Sequence, residues 1–491
     1  MRIDVHTHVF NLRSIPARGV LRRWNVPDIL ARAAAKLFLS LVQDDPGLSR
    51  VLAATSGTEI MAMPPGDVIS RIAAEAPPEI LLDEDFRNGL LYIEQADVAQ
   101  VVSRAMARGG VTAEAARATA LGMSPHHSLA ALNLAMLDRQ ARFDLITLLL
   151  QKLQKIIEGG AGAIRFLYLL TRSEAHILDT YRATYQIDLN VHLMMDLELH
   201  YLPDPPVYDF VAQQIPRMRE LANQSGGRLV VFAAFDPYRE KCQEIIESAI
   251  EKGCIGVKFY PPSGYRPSGN KDGTYDGPPA WQLDARNDKL FEFCANNSVP
   301  VFTHCTPSGF TAAPGYGEFA DPKYWAPVLA KYPTLILGFG HSGGAEGWFA
   351  PLGSDGDGTF ENSFAGGCFA LMKTYDNVYL DFGYLDDVFD AAHLERIRAR
   401  IASMVISTPK LGERFMYGSD WHMLYKEAKS DKYLDAFEQV FTGDLEQYRD
   451  RFFGQNAARY LRLQSFAARN AGWLSAAAAA HLQRLASEGV R

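Results

Sequence analysis

Short apolar, β-branched runs alternate with segments of helical spacing from residue 187 onward. Seven such runs are expected to be strands, at 188–195, 229–235, 255–260, 299–305, 335–341, 378–383 and 415–420. Residues 2–6 add an eighth run near the start of the chain. Near-continuous apolar strands that alternate with helices are typical of a parallel sheet covered by helices. Eight of them predict an α/β protein with a (β/α)8 TIM barrel, and a doubly wound sheet is the alternative.

The region between the first and second predicted strands has a different character. It is rich in Ala, Leu, Arg and Glu, and helices are expected at 28–42, 67–75, 85–108, 112–121, 128–158 and 173–186. The sequence therefore predicts a barrel domain over 1–11 and 187–463, a helical insertion over 12–186, and a C-terminal helix over 464–491. Because the insertion begins just past the end of the first strand, on the face where barrel active sites lie, it is expected to cap the site. An oligomer interface is the alternative role.

Composition narrows the class of protein and its partners. Of the 491 residues, 48% are hydrophobic and 22% are charged, which is typical of a globular chain with a large core. The net charge of −8 argues against nucleic acid as a partner, and the apolar stretches are too short for a membrane span. A small-molecule substrate is expected, and a homo-oligomer is left open. The five cysteines lack CxxC spacing, and no signal peptide opens the sequence, so we expect a reducing, cytoplasmic location.

Candidate chemistry lies at the ends of the predicted strands. His6 and His8 form a His-x-His pair at the end of the first strand, and alternate strand residues point to the same face. Polar residues also occur near the ends of the fourth, fifth, sixth and eighth strands: Lys258, His304, His341 and Asp420. Polar groups inside apolar strands cost several kcal/mol unless they are paired or ligated. Because they recur at one end of the barrel, we expect them to converge on a metal site.

Six segments together resemble the amidohydrolase superfamily: MRIDVHTHVF, GVKFYPP, VPVFTHCTP, LGFGHSGG, FMYGSDWH and FFGQNAARYLRL. The resemblance is greatest to the amidohydrolase 2 branch, which includes aminocarboxymuconate-semialdehyde decarboxylase and related metal-dependent hydrolases. It covers residues 1–11 and about 187–463. It leaves the insertion unexplained, and it is specific for the superfamily rather than for a substrate.

The resemblance implies that four residues bind one divalent metal: His6, His8, His304 and Asp420. Zn²⁺ is the first choice, and Mn²⁺ or Fe²⁺ are alternatives. Asp420 would also move a proton between water and the leaving group, while His341 would orient the water or polarise the substrate. In binuclear relatives the sixth-strand histidine binds a second metal instead. Lys258 is then carboxylated and bridges the two ions; otherwise it would bind a substrate anion or form a structural salt bridge.

Four further residues are candidate substrate contacts alongside Lys258. Tyr260 and Arg266 follow the fourth strand, His200 follows the second, and His422 lies where many relatives have a proline. The favoured function is hydrolysis of a C–N or C–O bond in a small organic molecule. A metal-dependent, non-oxidative decarboxylase of an aromatic or unsaturated acid is the alternative, with Arg266 as the candidate carboxylate clamp. A non-catalytic binding protein is disfavoured because every ligand-type residue is retained.

Overall fold

A computed structural model of the chain describes residues 1–43, 63–90, 92–93, 95–108, 137–201, 204–272, 277–349 and 360–490. Contacts within the chain define two compact units. The first unit comprises Met1–Val9, Tyr181–His200 and Tyr208–Arg491, and the second comprises Phe10–Thr180 and Tyr201–Val207. Among the described helices, none combines the length and the apolar character that a membrane crossing requires.

The first unit contains a parallel barrel built from all eight predicted strands. These are β1 (Ile3–Thr7), β2 (Leu189–Leu193), β3 (Leu229–Phe235), β4 (Gly256–Phe259), β5 (Val301–Thr303), β6 (Leu337–Phe339), β7 (Val378–Asp381) and β8 (Phe415–Met416). Each strand pairs in parallel with the next one along the chain, in the order β1 to β8. The α/β barrel is therefore confirmed, and the doubly wound alternative is wrong because that fold reverses its strand order.

Backbone hydrogen bonds join the last strand to the first. Val5 N–H donates to Tyr417 O at 3.1 Å, and Asp420 N–H donates to His6 O at 2.7 Å. The Asp4 carboxylate accepts the N–H of Ser419 at 3.0 Å as well. These contacts bring the segment after β8 against β1 and nearly close the barrel.

The strands are apolar on both faces because helices cover the outside and side chains fill the inside. Every residue of β3, LVVFAAF, is buried. The core cluster includes Val5, Val191, Phe232 and Phe302 from the strands and Tyr460 from a later helix. This filled interior leaves the strand ends as the place for polar chemistry.

Helices alternate with the strands of the barrel unit. They are Ile215–Gln224, Cys242–Glu251, Ala280–Asn297, Ala326–Lys331, Ala345–Phe349, Phe364–Thr374, Ala391–Ser407, Trp421–Leu424, Tyr433–Val440, Asn456–Tyr460, Leu463–Arg469 and Ala476–Val490. The tail thus contains two helices where the sequence predicted one over 464–491. Asn470 caps the first of them by donating to Phe466 O at 2.9 Å, and a turn follows before the second begins.

The described part of the second unit is helical. Its helices are Ala17–Arg23, Asp28–Ser40, Pro65–Glu75, Glu84–Leu90, Gln95–Ala107, Arg139–Ile156 and Gly160–Leu169, and Glu174–Tyr185 leads back into the barrel unit. The single helix expected over 85–108 is two helices. The sequence also missed Gly160–Leu169, whose start is marked by a left-handed glycine (Gly159, φ 82°). The helix predicted at 112–121 and the first part of 128–158 lie outside the described residues.

Candidate metal centre

Three residues from distant strand ends form one compact group. They are His6, His341 and Asp420. Each offers one ligand-type atom, an imidazole nitrogen or a carboxylate oxygen, and these three atoms all lie within 4.8 Å of one another. His6 belongs to β1, His341 follows β6, and Asp420 follows β8. All three side chains are buried. Two imidazole nitrogens and one carboxylate oxygen form a donor set that suits zinc and other first-row divalent metals.

The other two predicted ligands flank this group. His8 Nε2 lies 3.5 Å from Asp420 Oδ1, and His304 Nδ1 lies 3.1 Å from His341 Nε2. The rings of His6 and His341 are 4.6 Å apart between centroids. The structure therefore brings five residues into one connected group at the C-terminal ends of the strands. We call this group the metal-type cluster: His6, His8, His304, His341 and Asp420.

Backbone carbonyls assign which nitrogen of three imidazoles carries the proton. A carbonyl oxygen can only accept, so the ring nitrogen facing it must carry N–H, and the other nitrogen of a neutral ring then carries the lone pair. The three hydrogen bonds run from His8 Nδ1 to Leu193 O (2.7 Å), from His304 Nε2 to Ser308 O (2.9 Å) and from His341 Nδ1 to Gly383 O (2.9 Å). The nitrogens that remain for the cluster are thus acceptors, as metal ligands must be.

This assignment leaves two lone pairs facing each other. His304 Nδ1 and His341 Nε2 are 3.1 Å apart, and in these tautomers neither can donate to the other. Such a contact is repulsive until a proton or a cation neutralises it. Asp420 Oδ1 is also buried and accepts no hydrogen bond from the described residues. Both observations fit a divalent cation in this cluster.

Burial and mutual proximity favour the neutral form of three imidazoles in the cluster. Burial lowers the pKa of His8 and His304 well below the ordinary value, and neighbouring imidazoles lower it further. The same causes lower the pKa of His341 to about 3. Burial raises the pKa of Asp420 to about 6, against the opposing effect of His6 and Lys258. Neutral imidazole is the form that binds metals.

Asp381, at the end of β7, belongs to the site although the sequence analysis overlooked it. Its Oδ2 lies 3.1 Å from His6 Nδ1, and its Oδ1 accepts the main-chain N–H groups of His341 and Gly383. The signal was available, because Asp381 ends an apolar strand in the same way as the predicted ligands do. It was missed because the sequence does not show which imidazole its carboxylate faces.

Strained backbone marks two of the strand ends. His341 and Asp420 have positive φ values of 61° and 49°, which cost about 1–3 kcal/mol each for residues other than glycine. Each is held by its own main-chain hydrogen bond, from His341 to Asp381 and from Asp420 to His6. The fold thus maintains a costly conformation at two residues of the cluster.

Lys258 lies in β4 with its ammonium group over aromatic faces. Its Nζ is 4.6 Å from the Phe302 ring centroid and 5.7 Å from that of Tyr260. Burial lowers its pKa to about 7, while Asp381 and Asp420 oppose that shift. Among the described residues Lys258 has no hydrogen-bond acceptor or ion-pair partner. A structural salt bridge, one of its three predicted roles, is therefore absent from the described part of the chain.

Tyr260 and Arg266 occupy different surroundings. The Tyr260 ring lies 4.8 Å from the His304 ring, and its hydroxyl donates to Phe310 O at 2.8 Å. The Arg266 guanidinium stacks on Phe319 and Tyr324, with ring distances of 4.5 and 4.7 Å. Tyr260 thus adjoins the cluster, whereas the contacts of Arg266 are with its own and a neighbouring loop. Their substrate roles stay predictions.

His200 belongs to a second buried polar group. Its Nε2 donates to Asp236 Oδ2 at 2.6 Å, and Tyr238 packs against its ring. Burial lowers the pKa of His200, but the charge of Asp236 outweighs this and the net effect is a raised pKa. Nearby, Arg239 forms a two-pronged ion pair with Asp196. These hydrogen bonds and ion pairs are formed within the group of Asp196, His200, Asp236 and Arg239.

His422 is fully buried and stacks beside Trp421. Burial lowers its pKa to about 3, with a further contribution from His192. His192 itself accepts the N–H of Val9 at 2.9 Å, and its ring lies 6.5 Å from that of His8. Both His192 and His422 thus lie close enough to His8 to lower its pKa.

Comparison with known proteins gives the following similarities. The family model described as Amidohydrolase matches residues 206–463, which is more than half of the chain. No curated protein matches the chain. Solved structures that are similar include a zinc-bound amidohydrolase from Burkholderia multivorans, with 16% identity, a TM-score of 0.40, and coverage of 60% of this chain and 91% of that one.

Two further similar structures carry other descriptions. A putative 2-pyrone-4,6-dicarboxylic acid hydrolase from Pseudomonas putida has 15% identity and a TM-score of 0.36, over 57% of this chain and 86% of that one. A 2,6-dihydroxybenzoate decarboxylase from Rhizobium has 13% identity and a TM-score of 0.37, over 58% of this chain and 86% of that one. Similarity at this level does not identify a reaction.

Proposed function

Because the chain belongs to the amidohydrolase family, we propose that it is a metal-dependent hydrolase that cleaves a C–N or C–O bond of a small organic molecule. The observation that carries the proposal is the buried cluster of His6, His341 and Asp420, in which ligand-type atoms converge within 4.8 Å. His8 and His304 complete the set of donors. Zn²⁺ is the proposed ion, with Mn²⁺ or Fe²⁺ as alternatives, and one ion or two.

A bound divalent metal would act as a Lewis acid that lowers the pKa of water and polarises the scissile bond. Asp420 would take a proton from the attacking water and deliver it to the leaving group. A positioned carboxylate can act in turn as base and as acid in this way. In its protonated form, which a pKa of about 7 leaves partly populated at neutral pH, Lys258 would attract an anionic group of the substrate. The buried rings of Phe302 and Tyr260 would keep water away from it.

Hydrolysis is preferred to decarboxylation because the Arg266 guanidinium is engaged in contacts within the protein. The decarboxylase alternative called for an arginine clamp, and Arg266 was its candidate. That guanidinium stacks on two aromatic rings and donates to Gly269 O at 3.2 Å. Lys258, which lies near Asp420 and His304, is a buried cation that could bind a carboxylate, as a point charge rather than a planar fork.

Metal reconstitution with isotope tracing tests the proposal. The protein would be stripped with a chelator, reloaded separately with Zn²⁺, Mn²⁺ and Fe²⁺, and assayed on amides, esters, lactones and aromatic carboxylic acids in H₂¹⁸O. We expect activity that depends on metal and product that carries ¹⁸O. Release of CO₂ without incorporation of water oxygen would establish the decarboxylase instead. A protein that binds none of the three ions would refute the metal centre.

A further inference from the structure

Asp381 contacts two residues of the metal-type cluster at once. A carboxylate can only accept hydrogen bonds, so its partners must be donors. His6 Nδ1 lies 3.1 Å from Asp381 Oδ2 and must therefore carry the proton. Oδ1 accepts the main-chain N–H of His341 at 3.1 Å and that of Gly383 at 2.6 Å. Asp381 is fully buried, so water does not compete for these contacts.

We infer that Asp381 is a positioning residue of the metal centre, which orients the His6 imidazole, anchors the His341 main chain, and thereby strengthens binding of a divalent metal. The inference rests on the proposed function. It assigns a role to a residue outside the predicted ligand set.

The first part of the role is the orientation of His6. With the proton fixed on Nδ1, the lone pair is on Nε2, which points away from Asp381. If the His6 ring were flipped by 180°, it would present a carbon atom instead of Nε2 to the metal. The flip would also break the hydrogen bond from Nδ1 to Asp381, so the carboxylate disfavours it. Carboxylate–histidine–metal triads generally fix the tautomer and the ring orientation of the ligand in this way.

The second part of the role is the anchoring of His341. This residue has the positive φ of 61°, which needs a specific contact to persist. The bond from its N–H to Asp381 supplies that contact, while Gly383 O fixes its ring. One carboxylate therefore sets the direction of two imidazoles that belong to different strands.

The surrounding glycines leave space for this arrangement. A Cβ on Gly383 would lie 2.6 Å from His6 Nδ1 and 3.0 Å from Asp381 Oδ1. A Cβ on Gly418 would lie 2.9 Å from His6 Cβ and 3.0 Å from Asp381 Cγ. Any side chain at either position would push apart the pair that the role requires.

Asp381→Asn tests the inference because it keeps the size of the side chain and removes its charge. The stripped protein would be titrated with Zn²⁺ against a chromophoric chelator, and the visible spectrum of the Co²⁺ form would report the ligand geometry. We expect affinity to fall about 10–100-fold, with an altered Co²⁺ spectrum and unchanged far-UV circular dichroism of the metal-free protein. Asp236→Asn is the matched control, since Asp236 is also a buried partner of a histidine but lies outside the cluster.

The outcomes separate the possible explanations. An affinity within twofold of the unaltered protein overturns the inference, and so does an equal loss in Asp236→Asn. If Asp381→Asn does not fold, Gly383→Ala is the second test, because its methyl group would displace His6 from Asp381 without a change of charge. Weaker Zn²⁺ binding by this variant supports the role of Asp381, and unchanged Zn²⁺ binding refutes it. If the unaltered protein binds neither Zn²⁺ nor Co²⁺, the proposed function fails first.

Discussion

Replacing Lys258 by methionine should stabilise the metal-free protein, by an amount that shrinks as pH rises. Burial lowers the pKa of this ammonium from 10.5 to about 7. Between these values the unfolded chain holds the proton and the folded chain does not. Folding must therefore expel a proton, and this cost decreases toward pH 10.5. Methionine has nearly the same shape and carries no proton, so the substitution removes the cost.

The magnitude follows from the size of the pKa shift. One pKa unit corresponds to about 1.4 kcal/mol, so the cost of expelling the proton is about 4 kcal/mol at pH 7 and about 2 kcal/mol at pH 9. Any change in packing that methionine introduces adds a constant that does not depend on pH. The difference between the two proteins should consequently fall by about 2 kcal/mol over this range.

Urea unfolding in excess chelator measures this difference. Trp325, Trp348 and Trp421 are fully buried in the barrel unit, so their fluorescence reports its unfolding. Lys323→Met is the control, because its ammonium is exposed and paired with Asp321. A stability difference between Lys258→Met and the unaltered protein that stays constant from pH 7 to pH 9 would refute the reasoning, since Lys258 would then keep its charge in the folded state.

Two further predictions concern the cluster and its buried neighbour. Asp420→Asn should lower kcat about 10²–10⁴-fold, because proton transfer by a positioned carboxylate is lost, and steady-state kinetics on any substrate found in the reconstitution assay would check this. The same variant with near-normal kcat would assign the proton transfer elsewhere. His200→Gln should destabilise the protein by about 3 kcal/mol at pH 6, because it leaves Asp236 buried without its partner. Because the pKa of His200 is raised, the contribution of its charged form is complete below pH 6.5 and is lost as pH rises through the folded-state value. The difference between the thermal midpoints of the two proteins should therefore shrink as pH rises.

The sequence predicted the barrel well because its strands are apolar on both faces and are bounded by loops. Seven of the eight predicted runs contain the strand found, and the first, 2–6, is shifted by one residue from Ile3–Thr7. The tail was harder, since the stop at Asn470 depends on a hydrogen bond to Phe466 that composition does not show.

The metal-type cluster was predictable in its members but not in its supporting contacts. His6, His304, His341 and Asp420 share a position at strand ends, and a barrel brings such positions together. The importance of Asp381 depends on which imidazole nitrogen faces it, and sequence spacing carries no information about ring orientation.

The closure of the barrel has a consequence for how the protein is made. Asp4 and Ser419, 415 positions apart, are joined by a hydrogen bond, and Asp420 bonds to His6 beside them. During synthesis His6 therefore leaves the ribosome long before the Asp420 carboxylate does. A divalent metal that needs both groups could be held only after Asp420 has emerged, so metal loading would be a late step in the making of the protein. A cell that limits free metal ions would thus delay maturation without delaying translation.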